Sequence, residues 1–137
     1  MKPQEFIETQ MNLALDAQSL TGVDYRVVLA QWALETGWGG STLAQKHNNL
    51  AGIKFTGSFG TGTPQGFASY KDLGEFLLDY VRVMNLSYYA RVRVGRTPEE
   101  QIAALQASPY DENHYPQLPA VYHQYVASLG PKETGGS

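Results

Sequence analysis

Glu35 is the residue whose type and position point most directly to chemistry. Along Asp24–Leu34 the apolar residues Tyr25, Val28, Leu29 and Trp32 recur at helical spacing, and Glu35 takes the next place on that stripe. A carboxyl group in line with a buried stripe loses water, and the negative end of the helix dipole opposes its charge. Both effects raise its pKa. A carboxyl that keeps its proton near neutral pH is what general acid catalysis requires. Trp32 and Trp38 are placed to form an apolar wall beside it. A solitary glutamate at a helix end ordinarily turns to solvent. The residues that follow, Glu35-Thr36-Gly37-Trp38-Gly39-Gly40-Ser41, argue otherwise, because so little side-chain bulk lets a ligand approach the backbone.

The elements that must position Glu35 are mostly helical. Phe6, Ile7, Met11, Ala14, Leu15 and Ala17 give a first helix over about Gln4 to Leu20, broken by Gly22. Asp24 caps the second helix, and Gly37 stands where a left-handed C-cap belongs. Ser41 to Lys46 is expected to make one short turn. From Thr36 to Lys71 the composition changes: eight of the 14 glycines fall there, with no Asp or Glu. Leu50–Phe55 and Gln65–Tyr70, separated by Gly57, Gly60 and Gly62, read as a small hairpin or an irregular lobe. Such a lobe builds a core poorly and the wall of a cleft well.

Helical signals then return. Asp72 with Glu75 forms a capping box, followed by Leu73, Phe76, Leu77, Tyr80, Val81 and Met84 on one face. Thr97-Pro98-Glu99-Glu100 is a second start signal, and Leu118 to Leu129, closed by Gly130, tolerates Pro119 in its first turn. The fold class is therefore mainly α (α+β), with one catalytic-sized domain over residues 1–130. A flexible polar tail follows over 131–137, its final Gly-Gly-Ser reading as a remnant of cloning.

Composition narrows the function. The 137 residues carry no cysteine, which excludes disulfides and thiolate chemistry. A net charge of -3 argues against nucleic acid as a partner. His47, His114 and His123 have no ligand-like spacing, so neither a metal nor another cofactor is expected. No run approaches the ~20 apolar residues of a membrane span, and the start lacks the pattern of a Sec-type signal peptide. Tyr122 and Tyr125 read as core packing. Arg82, Arg91, Arg93 and Arg96 read as a solvated helix end, with acidic peptide or protein contacts as the other reading.

Three ordered blocks carry a resemblance. Leu34-Glu35-Thr36-Gly37-Trp38-Gly39, Asn48-Asn49-Leu50-Ala51-Gly52-Ile53-Lys54, and Phe67-Ala68-Ser69-Tyr70 before a capped helix resemble the bacterial N-acetylglucosaminidases of glycoside hydrolase family 73, over about Gln4 to Leu129. The resemblance implies a lysozyme-like fold, in which an α lobe and a small β-hairpin lobe flank a glycan cleft. It implies a peptidoglycan hydrolase cleaving the β-1,4 bond between N-acetylglucosamine and N-acetylmuramic acid, with Glu35 as general acid. It also carries Trp38, Asn48, Asn49, Lys54 and Tyr70 over as substrate-binding positions. Ser108-Pro109-Tyr110-Asp111-Glu112-Asn113-His114-Tyr115 resembles the family's tyrosine loop, with Tyr110 as the tyrosine facing the glutamate and Tyr115 as the alternative and a further substrate contact.

One departure bears on mechanism. Many members are similar in placing a second acid in the β hairpin, whereas here Gln65 stands near that place and no acid lies between Glu35 and Asp72. A two-carboxylate scheme needs a partner ~5–9.5 Å away. Asp72, Asp111 and Glu112 are the remaining candidates, and a substrate-assisted route is expected instead. The other readings are a lytic transglycosylase or muramidase of lysozyme-like fold, and a non-catalytic module that binds wall glycan. A monomer acting in the bacterial periplasm or cell wall is expected. Delivery would be non-classical, as an antibacterial effector or phage lysin, or as a fragment of a larger protein. An effector would imply an immunity protein occluding the cleft.

Overall fold

The structure is a computed structural model and describes residues 1–110 and 115–133. Its helices are α1 (Pro3–Thr21), α2 (Tyr25–Thr36), α3 (Thr42–His47), α4 (Leu73–Met84), α5 (Ala90–Arg93), α6 (Pro98–Gln106) and α7 (Leu118–Val121). A two-stranded antiparallel sheet, β1 (Thr61–Gly62) and β2 (Ala68–Ser69), lies between α3 and α4, with Thr61 opposite Ser69 and Gly62 opposite Ala68. The architecture is mainly helical with one small sheet, as the sequence pattern implies.

The centre of the fold is α2. Every residue from Tyr25 to Ala33 is buried, so this helix is surrounded rather than amphipathic. Helices α1, α6 and α7 pack around it. Trp32 sits between the rings of Phe76 and Tyr80, each 5.3 Å away and edge-on, which locks α4 against α2. Even Arg26 is buried, its guanidinium held by Asp24 at 2.8 Å and lying near the Tyr25 and Tyr122 rings.

Local signals set the helix ends. Asp24 accepts from the Arg26 N–H at 2.9 Å, and Ser41 caps α3 through the Ala44 N–H at 3.1 Å. Asp72 and Thr97 accept from the N–H groups of Glu75 and Glu100. The returning halves of those boxes differ from the expected pattern. Glu75 and Glu100 reach the N–H of Lys71 and Arg96, one residue before the cap, because the carboxylates extend beyond the first turn.

Two expectations are sharpened. Of the hairpin and the irregular lobe, Leu50–Phe55 takes the irregular form: only Lys54 bridges Phe67, and the paired residues are those of β1 and β2. The helix expected from Leu118 to Leu129 is α-helical only through Val121, then widens over Tyr122–Val126 and tightens over Ala127–Leu129 before Gly130. No described helix is long and apolar enough to cross a membrane.

Candidate functional site

Glu35 stands in the last turn of α2, partly exposed, where Gly37 closes the helix with φ 56°. Its carboxyl group lies against the backbone of Gly52. Gly52 has φ 64°, and a Cβ placed there would lie 2.7 Å from Glu35 Oε2. Glycine is thus required at position 52 twice over, for its left-handed backbone and for the space the carboxyl occupies.

A fully buried asparagine holds the loop that presents Gly52. Asn49 Nδ2 donates to the carbonyls of Ile53 and Ala68, each at 2.9 Å, while Oδ1 accepts from the N–H groups of Ala51 and Ile53. On the far side, the Tyr110 hydroxyl donates to the Ala51 carbonyl at 2.7 Å. The Ala51–Gly52 segment is therefore fixed at both of its faces.

Two phenols sit within the electrostatic reach of Glu35. Tyr110 and Tyr115 stack with ring centroids 5.8 Å apart. Burial pushes both hydroxyls well above their ordinary pKa, and the nearby Glu35 charge pushes in the same direction. Both stay protonated at any physiological pH and serve as donors. The Tyr115 oxygen accepts from Gln31 Nε2 at 2.8 Å, and Gln31 Oε1 accepts from the Tyr80 hydroxyl at 2.6 Å. That relay fixes the amide and leaves the Tyr115 proton to be given to another acceptor.

A groove of about 560 Å³ opens from this point. Gly52 and Tyr110 form its Glu35 end, and Lys54, Phe67, Arg82 and Tyr89 line it further along. Tyr110 and Lys54 thus line one groove, Glu35 adjoins it through Gly52, and Tyr115 stacks on Tyr110.

The other anticipated contacts have different surroundings. Asn49 is buried with its amide fully engaged, so it positions the wall and is withdrawn from ligand. Asn48 caps α3 at φ 53° and donates to the Tyr70 carbonyl at 3.0 Å. Tyr70 is itself buried, its hydroxyl donating to Asp79 at 2.6 Å. Burial and that hydrogen bond raise its pKa. Trp38 adopts φ 59° and packs edge-on to Phe6 and Tyr125, away from the residues lining the groove. Trp32 is core. Asp72 is exposed and occupied in capping α4, while Asp111, Glu112 and His114 lie outside the described residues.

Gln31, Gly52 and Tyr89 are the residues of this region that sequence reasoning does not single out, whereas Arg82 belongs to the arginine group for which acidic peptide contacts are the second reading. Gln31 did leave a signal, as a polar residue inside the apolar run Ala30-Gln31-Trp32-Ala33-Leu34. Among the described residues no group of three or more His, Cys, Asp or Glu could hold a metal ion.

Residues 11–129 match the family described as Glucosaminidase: Mannosyl-glycoprotein endo-beta-N-acetylglucosaminidase. The peptidoglycan hydrolase FlgJ of Pseudomonas aeruginosa is 33% identical over 129 residues, covering 77% of this chain and 32% of that protein. The chain thus spans about a third of the length of that curated relative. The solved glycoside hydrolase domain of Salmonella typhimurium FlgJ superposes with a TM-score of 0.76 at 29% identity, covering 94% of this chain and 91% of that one. A type VI secretion system effector-immunity complex from Pseudomonas protegens contains a chain with the same fold, at TM-score 0.74 and 16% identity, covering 93% of each chain.

Proposed function

This chain belongs to the glucosaminidase family, whose solved relatives are lysozyme-like glycoside hydrolase domains, and from that premise we propose that it hydrolyses the β-1,4 bond between N-acetylglucosamine and N-acetylmuramic acid in peptidoglycan. The observation that carries this reading is the seat of Glu35. Its carboxyl lies against the bare backbone of Gly52 at the head of a groove, beside two phenols that remain protonated.

In this mechanism Glu35 gives its proton to the oxygen of the leaving sugar as that bond breaks. The 2-acetamido oxygen of the N-acetylglucosamine attacks its own anomeric carbon, forming a cyclic cation. Glu35, now ionised, takes a proton from water, and the water oxygen opens the ring at the anomeric carbon. Substrate assistance is favoured because no second acid faces Glu35 among the described groove residues. Tyr110 is the phenol nearest the reacting sugar, since it lines the groove while Tyr115 is buried behind it. Lys54 belongs to the groove's substrate contacts. The place of action is the bacterial cell wall or periplasm. An antibacterial effector with an immunity partner fits the fold shared with the type VI effector chain.

Replacing Glu35 by Gln is expected to lower release of soluble fragments from sacculi by at least ~100-fold, the contribution of a positioned acid, with the melting temperature unchanged. Full activity in that variant would overturn the assignment. Mass spectrometry of the products separates this reading from a lytic transglycosylase. Hydrolysis leaves a reducing N-acetylglucosamine end, whereas a transglycosylase leaves anhydro-muramic acid.

A further inference from the structure

The groove beyond Gly52 carries chemistry that a neutral sugar does not need. Lys54 is exposed there, and its side chain has no ion pair or hydrogen bond among the described residues. The Arg82 guanidinium also lines the groove and is held in place. Nε donates to Asp79 Oδ1 at 2.6 Å, and Nη2 donates to Thr56 Oγ1 at 3.2 Å. Asp79 itself is buried and accepts the Tyr70 hydroxyl, so its charge is engaged behind the groove wall. Among the described lining residues there is no Asp or Glu, although the chain as a whole carries a net charge of -3. Two cations and a hydroxyl over an apolar floor of Ile53, Phe67 and Tyr89 make a setting for an anion, where lowered dielectric strengthens a charge-assisted hydrogen bond.

We propose that this end of the groove is a carboxylate subsite, in which Lys54, with Arg82 and Thr56, receives an acidic group carried on the muramoyl side of the glycan. The inference rests on the peptidoglycan reading and names the part of that substrate which the groove selects. Two sources offer the same chemistry: the carboxylates of the peptide stems, and the lactyl carboxylate that is freed when a stem is removed.

The test is binding by the Glu35→Gln protein, which holds the glycan uncut. Sacculi are compared before and after their carboxylates are capped as amides with carbodiimide and ammonia. Untreated sacculi are expected to bind about fivefold more tightly at low salt, as an exposed ion contact allows, and the ratio should shrink in 0.5 M salt. Adding Lys54→Met should bring the ratio close to one. Arg82→Lys keeps a counter-charge for buried Asp79 while losing the planar fork, and should give an intermediate ratio. Glycan strands stripped of stems by an amidase identify the source. Binding tighter than to capped sacculi shows that the freed lactyl carboxylate is received, and binding like capped sacculi assigns the stem. Equal affinity for untreated sacculi, capped sacculi and stripped strands, or a preference for free carboxylates undiminished in Lys54→Met, overturns the subsite. Fragment release by the wild-type protein is scored in parallel. Its failure would sink the hydrolase reading, while the binding ratio would still decide the subsite.

Discussion

The two walls of the Glu35 site are built by opposite means. On the helical side, α2 is enclosed by large side chains, and Trp32 alone meets two aromatic rings. On the glycine-rich side, from Asn48 to Tyr70, regular structure amounts to two paired residues in each strand. Beside backbone bonds such as Phe55 N–H to Gly66 and Ala68 N–H to Ile53, that wall is held by side-chain-to-backbone hydrogen bonds: those of Asn49, the Asn48 bond to Tyr70, and the Tyr110 bond to Ala51. The His47 and Ser69 side chains add a contact at 2.8 Å. Non-directional packing anchors the acid, and directional bonds place the surface it faces. The difference predicts that damage to one side should cost stability, and damage to the other should cost geometry.

Truncating Trp32 to Ala should have the largest effect, since it empties a fully buried site between two rings. A loss of about 3–5 kcal/mol is expected, read from urea unfolding, with activity lost only as the folded fraction falls. Gly52→Ala tests the opposite wall. Its methyl group would displace the Glu35 carboxyl, so fragment release should fall by about 100-fold, while left-handed strain costs about 1–2 kcal/mol of stability. A stability loss as large as that of Trp32→Ala, with activity falling only in step with the folded fraction, would erase the contrast between the walls. Asn49→Ala should be milder in its effect on activity. Unpaired backbone groups of Ala51, Ile53 and Ala68 would cost about 1–3 kcal/mol, with hydrogen exchange rising first over residues 49–53 and 66–69.

The smallest effect separates the walls by pH. Tyr80, Tyr110 and Tyr115 have hydroxyls raised from 10.0 by burial. For groups raised on folding, the unfolded chain loses protons first. Stability is full below about pH 10 and declines as pH rises above it. Unfolding midpoints measured from pH 8 to 11 should show this decline, and Tyr110→Phe should make it shallower. An unchanged slope in that variant would place the cause elsewhere.

How much of this was legible in the sequence depends on the range of the interaction. Caps at Asp24, Asp72 and Thr97 use atoms within three residues of themselves, and Gly22 and Gly37 declare their left-handed turns by type. The position of Glu35 beyond the stripe was legible for the same reason. Of the hairpin and the irregular lobe that Leu50–Phe55 allowed, the irregular form results because Asn49 takes up backbone groups of Ala51 and Ile53 that a ladder would use. Gln31 joins Tyr80 and Tyr115 across separations of 49 and 84 residues, which no local pattern encodes. Gly52 looked like one glycine among many, and its value lies in a contact with Glu35 that only folding creates.

That contact has a stereochemical consequence. At Gly52 the backbone takes the mirror-image turn, and the hydrogen that an L side chain would replace is the one directed at the carboxylate. Both obstacles come from chirality. A D-alanine introduced there by peptide ligation would accept the φ of 64° without strain and carry its methyl group on the opposite side of Cα. Glu35 would then keep its seat in a chain that every L substitution at the same position would disturb.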